Sequence, residues 1–245
     1  MARIARVVVP GSPHHVTQRG NRRETTFFSE ADYRLYRELL ATSAAKAGVE
    51  VWAYCLMPNH VHVIVTPRDV DGLRRTFGEL HRRYTAQINA RNRWTGHLWQ
   101  ARFASVAMDE AHLRAAIRYV SLNPVRARLV ARPEDWPWSS VGAHLQGADD
   151  ALVRVAPVLQ RVGPFDAFLA VAFEAGAACA PLRTDESTGR PARGSPRSAS
   201  HKPGAKNMMP RPKVKSCSKK PARNGYEKPG LPLSSIGTGR PAGSL

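Results

Sequence analysis

Cysteine is scarce in this 245-residue chain, and Cys55, Cys179 and Cys217 stand far apart with no CxxC pair. That excludes a disulfide framework and a thiolate zinc site. Acidic side chains are also few, 19 against 37 Lys and Arg, which leaves a formal charge of +18. So strong a basic excess suits a polyanionic partner. No run of about 18 apolar residues exists, so a transmembrane helix is not expected. The first ten residues start basic, but their apolar stretch is too short for a signal peptide. With 42% hydrophobic residues the chain can still build a core. The expectation is a soluble, basic protein of a reducing compartment.

The charge is unevenly spread. Residues 181–245 hold 14 Lys and Arg against three acids, and ten of the 19 prolines. Such a stretch cannot bury enough surface to offset its ordering entropy, so it reads as a disordered basic tail. A solvated polycation of this kind raises non-specific nucleic-acid affinity and carries no chemistry. Before it, residues 1–145 and a weakly patterned helical extension over 146–180 are expected.

Strands and helices alternate along the first part. Pro13–Arg19 is short and β-branched, and Gly20-Asn21 turns it. Ser29-Glu30-Ala31-Asp32 opens a helix whose Tyr33, Leu35, Tyr36, Leu39, Leu40 and Ala44 recur at helical spacing, and Gly48 closes it. Val49–Met57 and His60–Thr66 flank Pro58-Asn59 and read as a hairpin. Val70 to about Asn92 is an Arg-rich helix with Leu73, Phe77, Leu80, Tyr84 and Ile88 on one face. Phe103–Met108 is a further strand, and a last helix runs from Asp109-Glu110 to a halt around Asn123-Pro124. This β-α-β-β-α-β-α order predicts an α+β, ferredoxin-like (RRM-like) fold, an antiparallel sheet with helices packed on one face.

Within it, His60-Val61-His62 is the sharpest chemical feature. Strand side chains alternate, so both imidazoles project to one side and can converge on a divalent ion. The same tripeptide also fits a half-buried strand surface. Tyr119 and Asn123 stand four residues apart and share a helix face. An amide oxygen could complete a two-His set, and a phenol one turn away could act as nucleophile. A core residue and a plain helix stop are the competing readings. Tyr84 is the rival phenol, although its phase with Phe77, Leu80 and Ile88 favours packing.

Taken together, four ordered stretches and a later fifth resemble a known family. Met57-Pro58-Asn59-His60-Val61-His62-Val63-Ile64-Val65 resembles the histidine strand of single-tyrosine HUH transposases. Gly20-Asn21-Arg22-Arg23, Leu98-Trp99-Gln100-Ala101-Arg102-Phe103 and Tyr119–Ala127 resemble, more narrowly, the REP-associated tyrosine transposases, as does Trp136-Pro137-Trp138-Ser139-Ser140. The resemblance implies that residues 1–145 form the transposase domain. It implies that His60, His62 and Asn123 bind Mg²⁺ or Mn²⁺ and that Tyr119 attacks a single-stranded DNA phosphodiester. The implied product is a 5′-phosphotyrosine link and a free 3′-OH, on a hairpin substrate near REP repeats. A cytoplasmic, nucleoid-associated location is expected, and whether Tyr119 acts within a monomer or across a homodimer stays open. His14 departs from the likeness, because a Tyr commonly stands there.

DNA contacts are expected from Arg19, Arg22, Arg23, Arg82, Arg83, Arg102 and Arg126, since the guanidinium fork suits phosphate. Arg74, Arg75 and Arg128 belong to the same basic set, and Trp94 and Trp99 could stack on splayed bases. Two other readings stay open: a non-catalytic binder of structured single strands, and a His-dependent phosphoester hydrolase acting through activated water.

Overall fold

Two alternating strands joined by a tight turn must pair, and here they set the sheet. In the computed structural model, which describes residues 7–174, Val49–Met57 (β2) and His60–Pro67 (β3) pair antiparallel across Pro58-Asn59. The other side of β3 pairs with His14–Arg19 (β1), which in turn pairs with Ala104–Ala107 (β4). The order is β2-β3-β1-β4, antiparallel throughout. Helix α1 (Glu30–Ala47) crosses from β1 to β2 and α2 (Gly72–Asn92) from β3 to β4. This is the ferredoxin-like arrangement that the sequence predicts. The tail expected over 181–245 lies outside the described residues.

Local chemistry places the helix ends. Ser29 and Asp32 form a capping box at the start of α1, and Gly48 closes it with a left-handed φ of 64°. From α1, Tyr36, Leu39 and Leu40 meet Leu73, Phe77, Leu80, Tyr84 and Ile88 of α2 over Val16, Val61, Val63 and Val65 of the sheet. This is the one-face packing expected of α1 and α2.

The opposite face is covered as well, a feature the one-face expectation does not extend to. The reason lies in β2, which is buried at every position but Glu50 and so needs cover on both sides. A bulge between Val51 and Ala53 turns Trp52 and Ala53 to this second face, beside Cys55, Met57 and Ile64. Helix α3 (Glu110–Arg126) packs there through Leu113, Ala116, Ile117 and Val120. The short helices α4 (Val141–Gln146) and α5 (Ala156–Val162) and then α6 (Phe165–Glu174) add Val141, Val158, Phe168 and Leu169. Residues 136–140 shield the free edge of β2: Leu56 N–H donates to Trp138 O at 2.9 Å and Ser140 N–H to Tyr54 O at 3.0 Å.

One boundary differs from expectation. Helix α3 runs through Pro124 to Arg126 rather than halting at Asn123. A proline so near the C-terminal end removes one intrahelical donor only, and the next bonds survive, Ala127 N–H to Asn123 O and Leu129 N–H to Pro124 O. Asn123 therefore sits inside the helix, with its side chain on the Tyr119 face. Among the described residues, no helix is long and apolar enough to cross a membrane.

Candidate active site

The second sheet face carries three imidazoles. His60 and His62 project from β3 as alternation requires, their ring centroids 5.0 Å apart, while Val61 enters the opposite core. His15 reaches them from β1, stacked on His62 at 5.2 Å with its Nε2 3.1 Å from His62 Nδ1. Asn59 fixes His60. Its Nδ2 donates to Arg23 O at 2.9 Å, so its Oδ1 is the atom that accepts His60 Nδ1–H at 2.6 Å. That leaves the His60 Nε2 lone pair free for a ligand, the usual arrangement of a metal-binding imidazole.

Electrostatics keep the rings neutral. Burial pushes His15 down to about 4. Burial, helped by the Arg19 charge, also brings His60 to about 4. For His62 burial dominates, and His15, His60 and Arg19 lower it further, well below its ordinary value. Neutral imidazoles are the form that binds cations.

Helix α3 brings the remaining candidates to the same face. The Tyr119 ring stands edge-on to His62 at 5.3 Å, and the Arg126 guanidinium lies over its face at 5.2 Å. Tyr119 and Asn123 are each only 8% exposed, and both line a cleft of about 800 Å³ that His60 also lines. The phenol lies beside the histidines of its own chain. Four of the expected arginines, Arg19, Arg23, Arg102 and Arg126, line this cleft with Gln18 and Gln100.

Residues 9–123 match the family model described as transposase IS200-like, a span that contains His60, His62, Tyr119 and Asn123. Over that span, just under half of the chain, it is similar to IS200-like transposases. It is 24% identical over 109 residues to the REP-associated tyrosine transposase of Escherichia coli (strain K12), covering 44% of this chain and 64% of that protein. A putative REP-associated tyrosine transposase of Haemophilus influenzae is 28% identical over 102 residues, 37% of this chain and 58% of its own. The chain thus spans somewhat less than two thirds of the length of these curated relatives. A solved structure of a REP-associated tyrosine transposase bound to a REP hairpin shares the fold, with a TM-score of 0.52 and 22% identity. It covers 62% of this chain and 90% of that one.

Other expected residues fall elsewhere. Arg82 and Arg83 ride on α2, behind the sheet as seen from Tyr119, and Arg82 is engaged by Glu79 at 2.9 and 3.0 Å. Arg22 does not line the Tyr119 cleft, although it shares the tight 21–23 turn with Arg23. Trp99 is core, packed on His81 and Tyr84, whereas Trp94 is exposed. The rival phenol Tyr84 is fully buried and donates to Thr26 O at 2.8 Å. His14 is a satisfied core histidine, with Nδ1 2.8 Å from Ser12 O and Nε2 accepting from Val9 N–H.

His15 and Asn59 are the functional candidates that sequence reasoning passed over. Alternation along β1 puts His15 and Thr17 on one face, and Thr17 pairs with His62, so the strand register held the signal.

The donor set suits a divalent ion. Two neutral imidazoles from one strand leave room for an oxygen ligand from another element. Asn123 offers one in its amide Oδ1: the residue is buried and lines the same cleft as His60 and Tyr119.

Proposed function

We propose that this chain cuts and rejoins single-stranded DNA through a covalent link to Tyr119, with a hairpin like the one held by its structural neighbour as substrate. The observation that supports it is the Tyr119 ring edge-on to His62, centroids 5.3 Å apart, in a cleft shared with His60, Asn123 and four arginines. His60, His62 and Asn123 would hold Mg²⁺ or Mn²⁺. A bound divalent ion there draws charge from the scissile phosphate.

The chain's own groups do the rest. Arg19, Arg23 and Arg102 hold flanking phosphates by their paired N–H donors. Arg126, over the phenol face, favours the negative charge that develops as Tyr119 loses its proton. The Tyr119 oxygen bonds to phosphorus, the bond to the 3′ oxygen breaks, and that oxygen takes up a proton. The products are a 5′-phosphotyrosine and a free 3′-OH. Reverse attack by a 3′-OH reseals the strand, so the bond energy is stored and no nucleotide triphosphate is consumed. In this proposal residues 1–145 form the catalytic unit, 146–180 a helical extension, and the 181–245 tail a sequence-independent anchor.

Labelled hairpin DNA with single-stranded flanks, incubated with Mg²⁺ or Mn²⁺, tests the proposal. A denaturation-resistant protein–DNA adduct is expected, and it should vanish in Tyr119→Phe. Cleavage that persists without an adduct would favour the activated-water hydrolase. Tight binding with no cleavage at all would favour the non-catalytic binder.

A further inference from the structure

Large apolar side chains exposed among the described residues are mostly aliphatic; Phe28 and Trp94 are the two aromatic ones, and they touch each other. Phe28 is 43% and Trp94 49% exposed, their rings edge to face at 5.4 Å. Neither is needed for the core. Adjacent Phe27 takes the buried place, stacked on Tyr33 at 4.4 Å.

The frame under the two rings is rigid. Phe28 precedes the cap of α1, and its N–H donates to Asp32 Oδ2 at 2.8 Å. Trp94 follows the end of α2, and its N–H donates to Asn89 O at 2.8 Å. Asp32, buried, also accepts both ends of the Arg91 guanidinium at 2.5 and 3.0 Å. One carboxylate thus ties the segment before α1 to the end of α2, and holds Phe28 and Trp94 in fixed relation.

Position decides what the rings are for. They line a cleft of about 540 Å³ together with Arg23 and His97, and with Glu24 as its one carboxylate. Arg23 also lines the Tyr119 cleft. A strand whose phosphate is held at Arg23 therefore has the catalytic cleft on one side and two exposed π faces on the other. Flat rings beside a cation suit a nucleobase, since every base has a face to stack.

We infer that Phe28 and Trp94 form a stacking platform for an unpaired base of the same DNA strand, one that flanks the hairpin stem. The inference rests on the DNA reading proposed above. The platform fixes which unpaired nucleotide the enzyme grips, and so the distance from that base to the cut.

The test uses the full chain and a hairpin with single-stranded extensions on both ends. An abasic site and, separately, 2-aminopurine are walked through the extensions. At one position the abasic site should weaken binding roughly 5- to 100-fold, and 2-aminopurine should be quenched. Trp94→Ala should show the same loss on the intact DNA, gain no further loss from the abasic site, and abolish the quench. Trp94→Phe should stay within about threefold of wild type, and a stem-only hairpin should not distinguish the variants. If Trp94→Ala misfolds, Phe28→Ala and the quench on the wild type decide.

Equal binding by wild type, Trp94→Ala and Phe28→Ala overturns the platform, as does a loss seen equally with the stem-only hairpin. A change in self-association without a change in DNA binding overturns it in favour of a second copy as occupant. The two readings fail separately. Adduct formation without any quench removes the platform alone, and a position-specific quench without an adduct removes the catalysis alone.

Discussion

Acid should unfold this domain before most of its carboxylates titrate. In the unfolded chain histidine takes up a proton near 6.5. Folded, His15 resists protonation down to about 4, because it is buried against the His62 ring. Between those values the unfolded state binds more protons, so stability is full above about 6.5 and falls as the pH drops. Each such histidine gives a slope of about 1.4 kcal/mol per pH unit. His15 alone costs about 2 kcal/mol by pH 5 and about 3 by pH 4. His62 acts in the same direction, and partly exposed His60 adds less. Asp32 is pushed up by burial, but the Arg91 bonds and the Phe28 and Ser29 N–H groups outweigh that and hold it low, so its share is lost at lower pH. Against a total stability of about 5–15 kcal/mol, the histidine loss is large. Urea unfolding with a chelator present, at pH 7.5, 6.5, 5.5 and 4.5, measures it. His15→Gln should flatten the profile by about one proton. A free energy that stays level from pH 7 to 5 would refute the reasoning.

Other perturbations separate the parts of the site. Asn59→Ala frees the His60 ring and should weaken Mn²⁺ binding about 10- to 100-fold by calorimetry, with hairpin affinity in chelator unchanged. Tyr84→Phe should keep full adduct formation and lose about 1 kcal/mol in urea unfolding, the worth of the bond to Thr26 O. Arg102→Ala should weaken hairpin binding and lower the slope of log K against log salt by about 1, whereas Arg82→Ala, paired with Glu79 behind the sheet, should leave that slope nearly unchanged.

Local periodicity carried much of the site. Alternation along β3 already separates His60 and His62 from Val61, and helical spacing already puts Tyr119 and Asn123 on one face. Which sheet face α3 would take was not local information. It depends on β2 being buried on both sides and on the bulge at Trp52, which only the assembled sheet reveals. The approach of His15 to His62 likewise needs the β1–β3 register, and the amide orientation of Asn59 needs the Arg23 carbonyl from another loop. Charge alone did not say where Arg82 and Arg83 would stand relative to Tyr119. A run of arginines does not say which side of a sheet its helix packs on. The same limit applied to the tryptophans, since burial of Trp99 and exposure of Trp94 follow from where the 94–99 segment meets α2.

The most direct measurement is to map the protein–DNA adduct by trypsin digestion and mass spectrometry. Cleavage after Arg118 and Arg126 releases the peptide Tyr119–Arg126, and cleavage after Arg83 and Arg91 releases Tyr84–Arg91. The account predicts the mass of a 5′-phosphorylated nucleotide on the Tyr119 peptide. The same mass on the Tyr84 peptide or any other, or its absence from a DNA that has been cut, would contradict it.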